Sequence, residues 1–158
     1  MNDIYDLKNE PSGAQYQRLV EFASPICTAF VLVLRHEDRV RERARSVLAN
    51  LQPYLLRTEE AGEWPGTKLP RGTAQVFHFR LNRHSAEILK GSASHLFEWL
   101  QPNLPEDLSF LRDDGSAWLT TISHEKQAYF KLSPEEARAI RRTLPELEVQ
   151  ERFPKPIN

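Results

Sequence analysis

Residues 108–122, LSFLRDDGSAWLTTI, decide the fold because two strand-like runs flank a short turn. The turn contains the pair Asp114-Gly115, which is typical of a β-hairpin. A two-residue turn of type I′ needs positive φ at both central positions, and aspartate and glycine tolerate that conformation. The sequence therefore predicts an antiparallel hairpin centred on this pair.

The predicted pairing, in which Leu111 lies opposite Trp118, gives the hairpin two unlike faces. One face is apolar and typical of a core: Leu108, Phe110, Ala117 and Leu119. The other face mixes hydroxyl groups with aromatic rings: Ser109, Leu111, Trp118, Thr120 and Ile122, with Tyr129 from the next strand. Rigid amphipathic aromatics contribute strongly to protein interfaces, so this second face is a candidate partner-binding surface. The alternative is that Trp118 packs beneath a helix or loop of its own chain.

The segments around the hairpin alternate between strand and helix patterns. Predicted strands cover 26–35, 73–82 and 128–132, and predicted helices cover 37–52, 84–101 and 134–144. Ser133 and Glu136 form a capping box at the start of the last helix, with Pro134 at its first position. The strand at 26–35 is apolar on both faces, which is typical of the middle of a sheet. The order β-α-β-α-β-β-β-α predicts an α+β domain with a mostly antiparallel sheet of about five strands.

The chain divides into a leader, one domain and a tail in this interpretation. Residues 1–13 are polar and end in Pro-Ser-Gly, which predicts a loose leader. A length of 158 residues favours a single domain, which we place at 14–150, followed by a tail at 151–158. Within the domain, 58–72 contains three glycines and two prolines and is predicted to be a long loop.

Composition and charge argue against several classes of protein. With 21 Lys and Arg against 22 Asp and Glu, the chain lacks the positive charge typical of nucleic-acid-binding domains. Its acidic N-terminus has no signal-peptide pattern, and its longest apolar run, 26–34, is far shorter than the ~20 residues that span a bilayer. We therefore expect a cytoplasmic protein without membrane association. The single cysteine, Cys27, excludes an internal disulfide and is expected to be a buried, inert thiol.

No complete catalytic, metal-binding or cofactor-binding motif is present in the sequence. His124-Glu125 begins like the HExxH motif of zinc proteases, but position 128 holds alanine instead of the second histidine. In an enzyme hypothesis, this pair acts as acid and base while Arg112 holds an anion. The alternative is a turn whose polar side chains bond to the backbone. A binding role is therefore favoured over an enzymatic one, and no cofactor is expected.

Two further segments are candidate interaction sites. Trp64 lies in the predicted loop 58–72 and either fills an edge of the core or docks onto a partner. Five arginines between positions 35 and 45 offer a nucleic-acid-binding helix at 37–52. Acidic neighbours offset part of that charge and the arginines do not share one face, so a solvated helix is the simpler interpretation.

Residues 105–119 and 122–125, together with 128–130, resemble a pattern in small bacterial proteins, the immunity proteins of polymorphic or contact-dependent toxin systems. Those proteins are single cytoplasmic domains that bind and block a cognate toxin. The resemblance implies a toxin inhibitor, without indicating which toxin it binds or through which residues. From the residues themselves, those predicted to bind a protein partner are Ser109, Trp118, Thr120, Tyr129, Trp64, Arg112, His124 and Glu125.

Overall fold

The computed structural model describes residues 2–156, in which ten strands and four helices form. The strands are β1 (Asp3–Leu7), β2 (Ala29–Leu34), β3 (Leu55–Ala61), β4 (Glu63–Trp64), β5 (Thr67–Lys68), β6 (Ala74–Arg80), β7 (Glu106–Leu111), β8 (Ala117–Ile122), β9 (Gln127–Leu132) and β10 (Val149–Glu151). The helices are α1 (Ala14–Ala23), α2 (Glu42–Leu51), α3 (Arg83–Ser92) and α4 (Pro134–Thr143). Three short 3-10 turns lie at Gln52–Tyr54, Leu96–Glu98 and Ser123–Glu125.

Eight of the strands make one antiparallel sheet in the order β10-β1-β9-β8-β7-β2-β6-β3, and β4 pairs with β5 separately. The prediction of a single α+β domain with an antiparallel sheet is confirmed, but the sheet has eight strands instead of about five. Within residues 2–156, no helix combines the length and apolar character needed to cross a membrane.

The two faces of the sheet are covered by different parts of the chain. All four helices contribute to the main core on one face. Strand β2 shows the division, since Phe30 and Leu32 belong to that core while Val31 and Val33 belong to a smaller cluster on the second face. All four side chains are buried. Because alternate side chains point to opposite faces, a strand in this position must be apolar throughout, as the sequence predicted.

Residues 62–72, here named the covering hairpin, fold across the second face. Trp64 packs in the smaller cluster with the valines of β2. The backbone at Gly66 rests on β8, because a Cβ atom placed there would lie 2.6 Å from Thr120 Cγ2 and 2.9 Å from Ile122 Cγ1. The prediction of a loop at 58–72 is therefore wrong for its first residues, because β3 continues to Ala61. The remaining residues form the covering hairpin.

The turn between β7 and β8 is not the predicted type I′. Gly115 has a φ of 86°, but Asp114 is not among the residues of the described chain with positive φ. The pairing of the two strands shifts by one residue at this end, so that Leu111 lies opposite Ala117 instead of Trp118. A glycine with positive φ followed by a bulge is a common end for a longer hairpin loop.

This shift places Trp118 in the main core. Its ring has no exposed surface, and it meets the rings of Phe22, Phe110 and Phe130 at centroid distances of 6.2, 6.4 and 5.0 Å. Ala117 moves to the second face, where it packs against the smaller cluster. Of the two alternatives for Trp118, packing beneath the protein's own helices is the one observed.

The segment predicted to be a loose leader, 1–13, contains a strand of the sheet. β1 lies between β9 and β10, and its Tyr5 and Leu7 are buried in the main core. Five residues with charged neighbours carry too short an alternation to be recognised as a strand. The strands and helices of the domain therefore extend from Asp3 in β1 to Glu151 in β10.

Replacing Gly66 with alanine tests the contact between the covering hairpin and β8. Gly66 has a φ of 82°, and an added methyl group would also overlap side chains of β8. Gly72→Ala is the matched control, because Gly72 has a φ of 75° but no atom within 4 Å of a Cβ placed there. We expect Gly66→Ala to lose about 1–3 kcal/mol more unfolding free energy than Gly72→Ala in urea denaturation. Equal losses would show that the hairpin does not rest on β8.

Cys27 provides a test of the main core. The side chain is buried, and burial raises the pKa of its thiol to about 12, although the charge of Arg112 acts in the opposite direction. Because the thiolate is the reactive form, we expect Cys27 to react with Ellman's reagent at least ~100-fold more slowly in the native protein than in urea. Rapid reaction of the folded protein would contradict this packing.

Candidate functional site

A β-bulge at the start of β7 brings two carboxylates to one end of the sheet. The pairing of β2 with β7 runs from Val31 opposite Ser109 to Val33 opposite Glu106, so β7 holds one extra residue. That residue is Asp107, whose φ of 60° places its backbone in the left-handed region. Successive side chains of a regular strand point to opposite faces, whereas a bulge re-aims one of them. Aspartate adopts this backbone conformation more readily than most residues do.

Asp107 has no exposed surface, and both of its carboxylate oxygens accept hydrogen bonds. Trp64 Nε1 donates to Oδ2 at 3.0 Å, and the backbone N–H of Ser123 donates to Oδ1 at 2.9 Å. Both donors are neutral. Burial raises the pKa of Asp107, although these two hydrogen bonds act in the opposite direction. The carboxylate thus joins the covering hairpin, β7 and the turn that follows β8.

Glu106 is also buried, and Arg35, which follows β2, is its cationic partner. Arg35 Nε donates to Glu106 Oε2 at 2.9 Å, and the guanidinium lies over the Trp64 ring at 5.1 Å from its centroid. Burial raises the pKa of Glu106, while the hydrogen bond from Arg35 acts to lower it. The Gln101 side chain holds the backbone of Arg35, because it accepts from the N–H at 2.6 Å and donates to the carbonyl at 3.3 Å.

His124 completes this group, which we call the acidic centre: Glu106, Asp107 and His124. One ring nitrogen of His124 and one oxygen of each carboxylate all lie within 4.8 Å of one another. The imidazole is exposed, and a cleft of about 400 Å³ opens beside it. The other charged or polar residues that line the cleft are Glu37, Asp38, Arg39 and Gln101. Two buried carboxylates beside an accessible imidazole can exchange a proton with solvent or hold a cation.

Four of the residues predicted to bind a partner are buried inside the domain: Ser109, Thr120, Trp118 and Trp64. Thr120 lies under the covering hairpin, and Trp64 is the part of that hairpin that fills the second face. These four side chains are therefore not part of an exposed surface in this structure. The covering hairpin packs on the second face of the sheet, which the sequence had predicted to bind a partner.

The structure does not bring Arg112 to His124. Arg112 donates two hydrogen bonds to the Glu136 carboxylate, at 2.7 and 3.0 Å, at the start of α4. The length of β8, roughly 17 Å, separates the two residues. His124 Nε2 and Glu125 Oε1 are 3.7 Å apart, which is too long for a hydrogen bond. The enzyme site predicted from these three residues is therefore not assembled, and the cation beside the acidic centre is Arg35.

A second polar site lies on the part of the second face that the covering hairpin leaves open. Tyr129 is half-buried there, and the Arg152 guanidinium lies 4.7 Å from its ring centroid. Arg152 Nε also donates to Asp6 Oδ1 at 3.0 Å. A depression of about 480 Å³ lies beside the ring, bordered by the exposed Lys8 and Lys126. We call these five residues the basic depression.

The arginine-rich segment starts its helix later than predicted. α2 begins at Glu42, so Arg39 and Arg41 belong to the preceding loop. Arg43 Nη2 donates to the carbonyl of Ser92 at 2.8 Å and forms an ion pair with Glu98. Nucleic-acid binding through this segment stays a prediction.

Sequence reasoning missed the three charged groups at the heart of the site: Arg35, Glu106 and Asp107. One signal was present in the sequence, because two successive acidic residues begin a mostly apolar strand. Charged side chains are seldom buried, so their burial in such a strand would indicate a functional site. Arg35 and Trp64 carried no such signal, because the pairing of β2 with β7 brings Arg35 to the carboxylates and the covering hairpin brings Trp64.

Comparisons with protein-family models, with curated proteins and with solved structures found no match for this chain. Its function is therefore argued from its own residues.

The hydrogen bond from Trp64 to Asp107 is tested by Trp64→Phe, with Trp118→Phe as the matched control. Both changes replace a buried indole with a phenyl ring, but Trp118 Nε1 has no hydrogen-bond partner within residues 2–156. Trp64→Phe leaves a buried carboxylate with one donor fewer, so we expect it to lose roughly 1–3 kcal/mol more than the control in urea denaturation. A loss no greater than that of Trp118→Phe would argue that the bond does not stabilise the fold.

Proposed function

We propose that the protein is a non-enzymatic binding module that binds an acidic segment of another protein in the basic depression. The observation that carries this proposal is the composition of the depression, in which Arg152 lies over the Tyr129 ring and two lysines line the same surface. Asp6 supplies the acidic charge of the site, but Arg152 already neutralises it. Lys8 and Lys126 therefore leave an excess of positive charge, which complements a carboxylate on a partner.

The rigidity of the depression also supports this role. Its residues lie on or directly beside β1, β9 and β10, which are neighbours in the sheet. Tyr129 is held beneath Arg152, so little conformational entropy is lost when a partner covers the ring. Tyrosine and arginine are enriched among the residues that contribute most to protein interfaces.

The resemblance to immunity proteins supports a bacterial toxin as the partner. Two segments that carry the resemblance, 122–125 and 128–130, adjoin or enter the depression. His124 and Glu125 are exposed directly before Lys126, so these predicted partner-binding residues stand at its edge. In this proposal the protein acts in the bacterial cytoplasm, where immunity proteins meet their toxins.

The proposal is tested by binding to the protein that the neighbouring gene encodes, measured by isothermal titration calorimetry. We expect Tyr129→Ala to weaken binding roughly 30-fold or more, because it removes an anchor residue worth about 2 kcal/mol. Lys126→Glu should also weaken binding, and more strongly at low salt, since it reverses a charge that faces the partner.

Arg83→Glu is the matched control for the charge reversal. Arg83 is exposed at the start of α3, on the helical side of the sheet, and its replacement changes the net charge equally. Wild-type affinity in Arg83→Glu alongside a loss in Lys126→Glu supports the proposal. Absence of binding by the wild-type protein, or equal losses in both variants, contradicts it.

A further inference from the structure

We propose that the acidic centre is a binding site for a divalent transition-metal ion, with Glu106, Asp107 and His124 as its protein ligands. This site is separate from the basic depression and does not depend on the protein-binding function. The two sites share no residue: the turn Ser123–Glu125 contributes His124 to the acidic centre, whereas Lys126, directly after that turn, belongs to the basic depression.

The geometry of the three side chains is close to that of a metal site. Their candidate ligand atoms lie within 4.8 Å of one another. Ligands bonded to one ion at ~2.1 Å stand about 3–3.5 Å apart, so a closure of about 1–2 Å completes the site. The exposed His124 side chain can supply part of this closure, and the rest requires small rotations of the Glu106 and Asp107 carboxylates.

The charge of the centre favours a cation. Arg35 is bonded to Glu106 Oε2, whereas Asp107 accepts hydrogen bonds only from neutral donors. A buried carboxylate that accepts hydrogen bonds only from neutral donors carries a desolvation penalty, which a bound divalent ion offsets. Each carboxylate has about four acceptor positions, so the bonds to Trp64, Ser123 and Arg35 leave room for coordination.

A buried hydroxyl group provides an independent indication that a polar ligand occupies this place. Ser123 is 2% exposed, and its Oγ has no hydrogen-bond partner within residues 2–156. The backbone N–H of the same residue donates to Asp107, so the residue that carries this hydroxyl contacts one of the two carboxylates and directly precedes His124 in the chain. Buried hydroxyls without a partner are uncommon, and a metal-bound water molecule would satisfy this one.

The surroundings of the carboxylates resemble the outer shell of a metal site. Trp64 orients the Asp107 carboxylate and Arg35 orients that of Glu106, each through a direct hydrogen bond. Such partners hold ligands in position before the ion arrives. One imidazole with two carboxylates suits Zn²⁺ or Mn²⁺ better than Mg²⁺ or Ca²⁺, which prefer oxygen ligands alone.

Calorimetric titration of the EDTA-treated full chain with ZnCl₂ and with MnCl₂ tests the inference. We expect one site per chain for at least one of these ions, and a weaker response to MgCl₂. His124→Ala should reduce the affinity at least ~10-fold, because even partners outside the ligand shell are worth that much. His124 is exposed, so its removal leaves the core intact, which circular dichroism will verify.

His84→Ala is the matched control, since His84 is an exposed histidine at the start of α3, away from the carboxylates. It should bind the ion as the wild type does. Other histidines stand beside glutamates, such as His78 at 3.2 Å from Glu59, and binding there would survive in His124→Ala. Such survival, or the absence of Zn²⁺ and Mn²⁺ binding by the folded wild-type protein, overturns the inference.

Discussion

The buried carboxylate of Asp107 is the group on which the second face of this protein depends. It receives one hydrogen bond from the covering hairpin, through Trp64, and one from the turn after β8, through Ser123. The bulge in β7 supplies the backbone conformation that directs the carboxylate to both donors. Because these groups come from three distant segments, one side chain sets where the hairpin crosses the sheet.

The burial of these charged groups is electrostatically unfavourable. Two successive carboxylates are buried, and Arg35 is directly bonded to one of them. Apolar side chains of similar volume would stabilise such a position at least as well, since the desolvation of buried charges often exceeds their mutual attraction. Places where a chain departs from the rules of good packing are commonly its functional sites. The acidic centre has this character.

The turn Ser123–Glu125 contributes His124 to the acidic centre and directly precedes Lys126 of the basic depression. The net charge of the whole chain, −1, does not reveal these two sites, because the negative charges of one and the positive charges of the other cancel when all charges are added. Local fields of opposite sign select different ligands within a short distance. The balance of acidic and basic residues in the sequence therefore argued against a strongly basic protein, but it could not indicate the acidic centre or the basic depression.

Much of the fold followed from patterns within a few neighbouring residues. β2 was recognisable from its uninterrupted apolar run, and the start of α4 from Ser133 and Glu136. The reciprocal capping bonds of that pair are present, at 3.2 and 2.9 Å. β1 and the first part of the predicted loop 58–72 were missed as strands, because β1 is short and β3 is an exposed edge strand with little apolar alternation. The register of the β7–β8 hairpin was missed because a single bulge at its turn moves Trp118 from one face to the other.

By itself, the sequence determined the class of the fold, the position of the central strand, the last helix and its cap, and the existence of the β7–β8 hairpin. Each of these depends on local periodicity or on contacts within one turn. Only the tertiary structure decided that the second face is covered by the chain's own hairpin, and that Arg35, Trp64, Glu106, Asp107 and His124 meet. Arg35 is 71 residues from Glu106 and Trp64 is 43 residues from Asp107. Contacts over such separations arise from strand pairing or from the packing of one segment over another, and they leave no periodic trace in the sequence, so the site became visible only when the chain was folded.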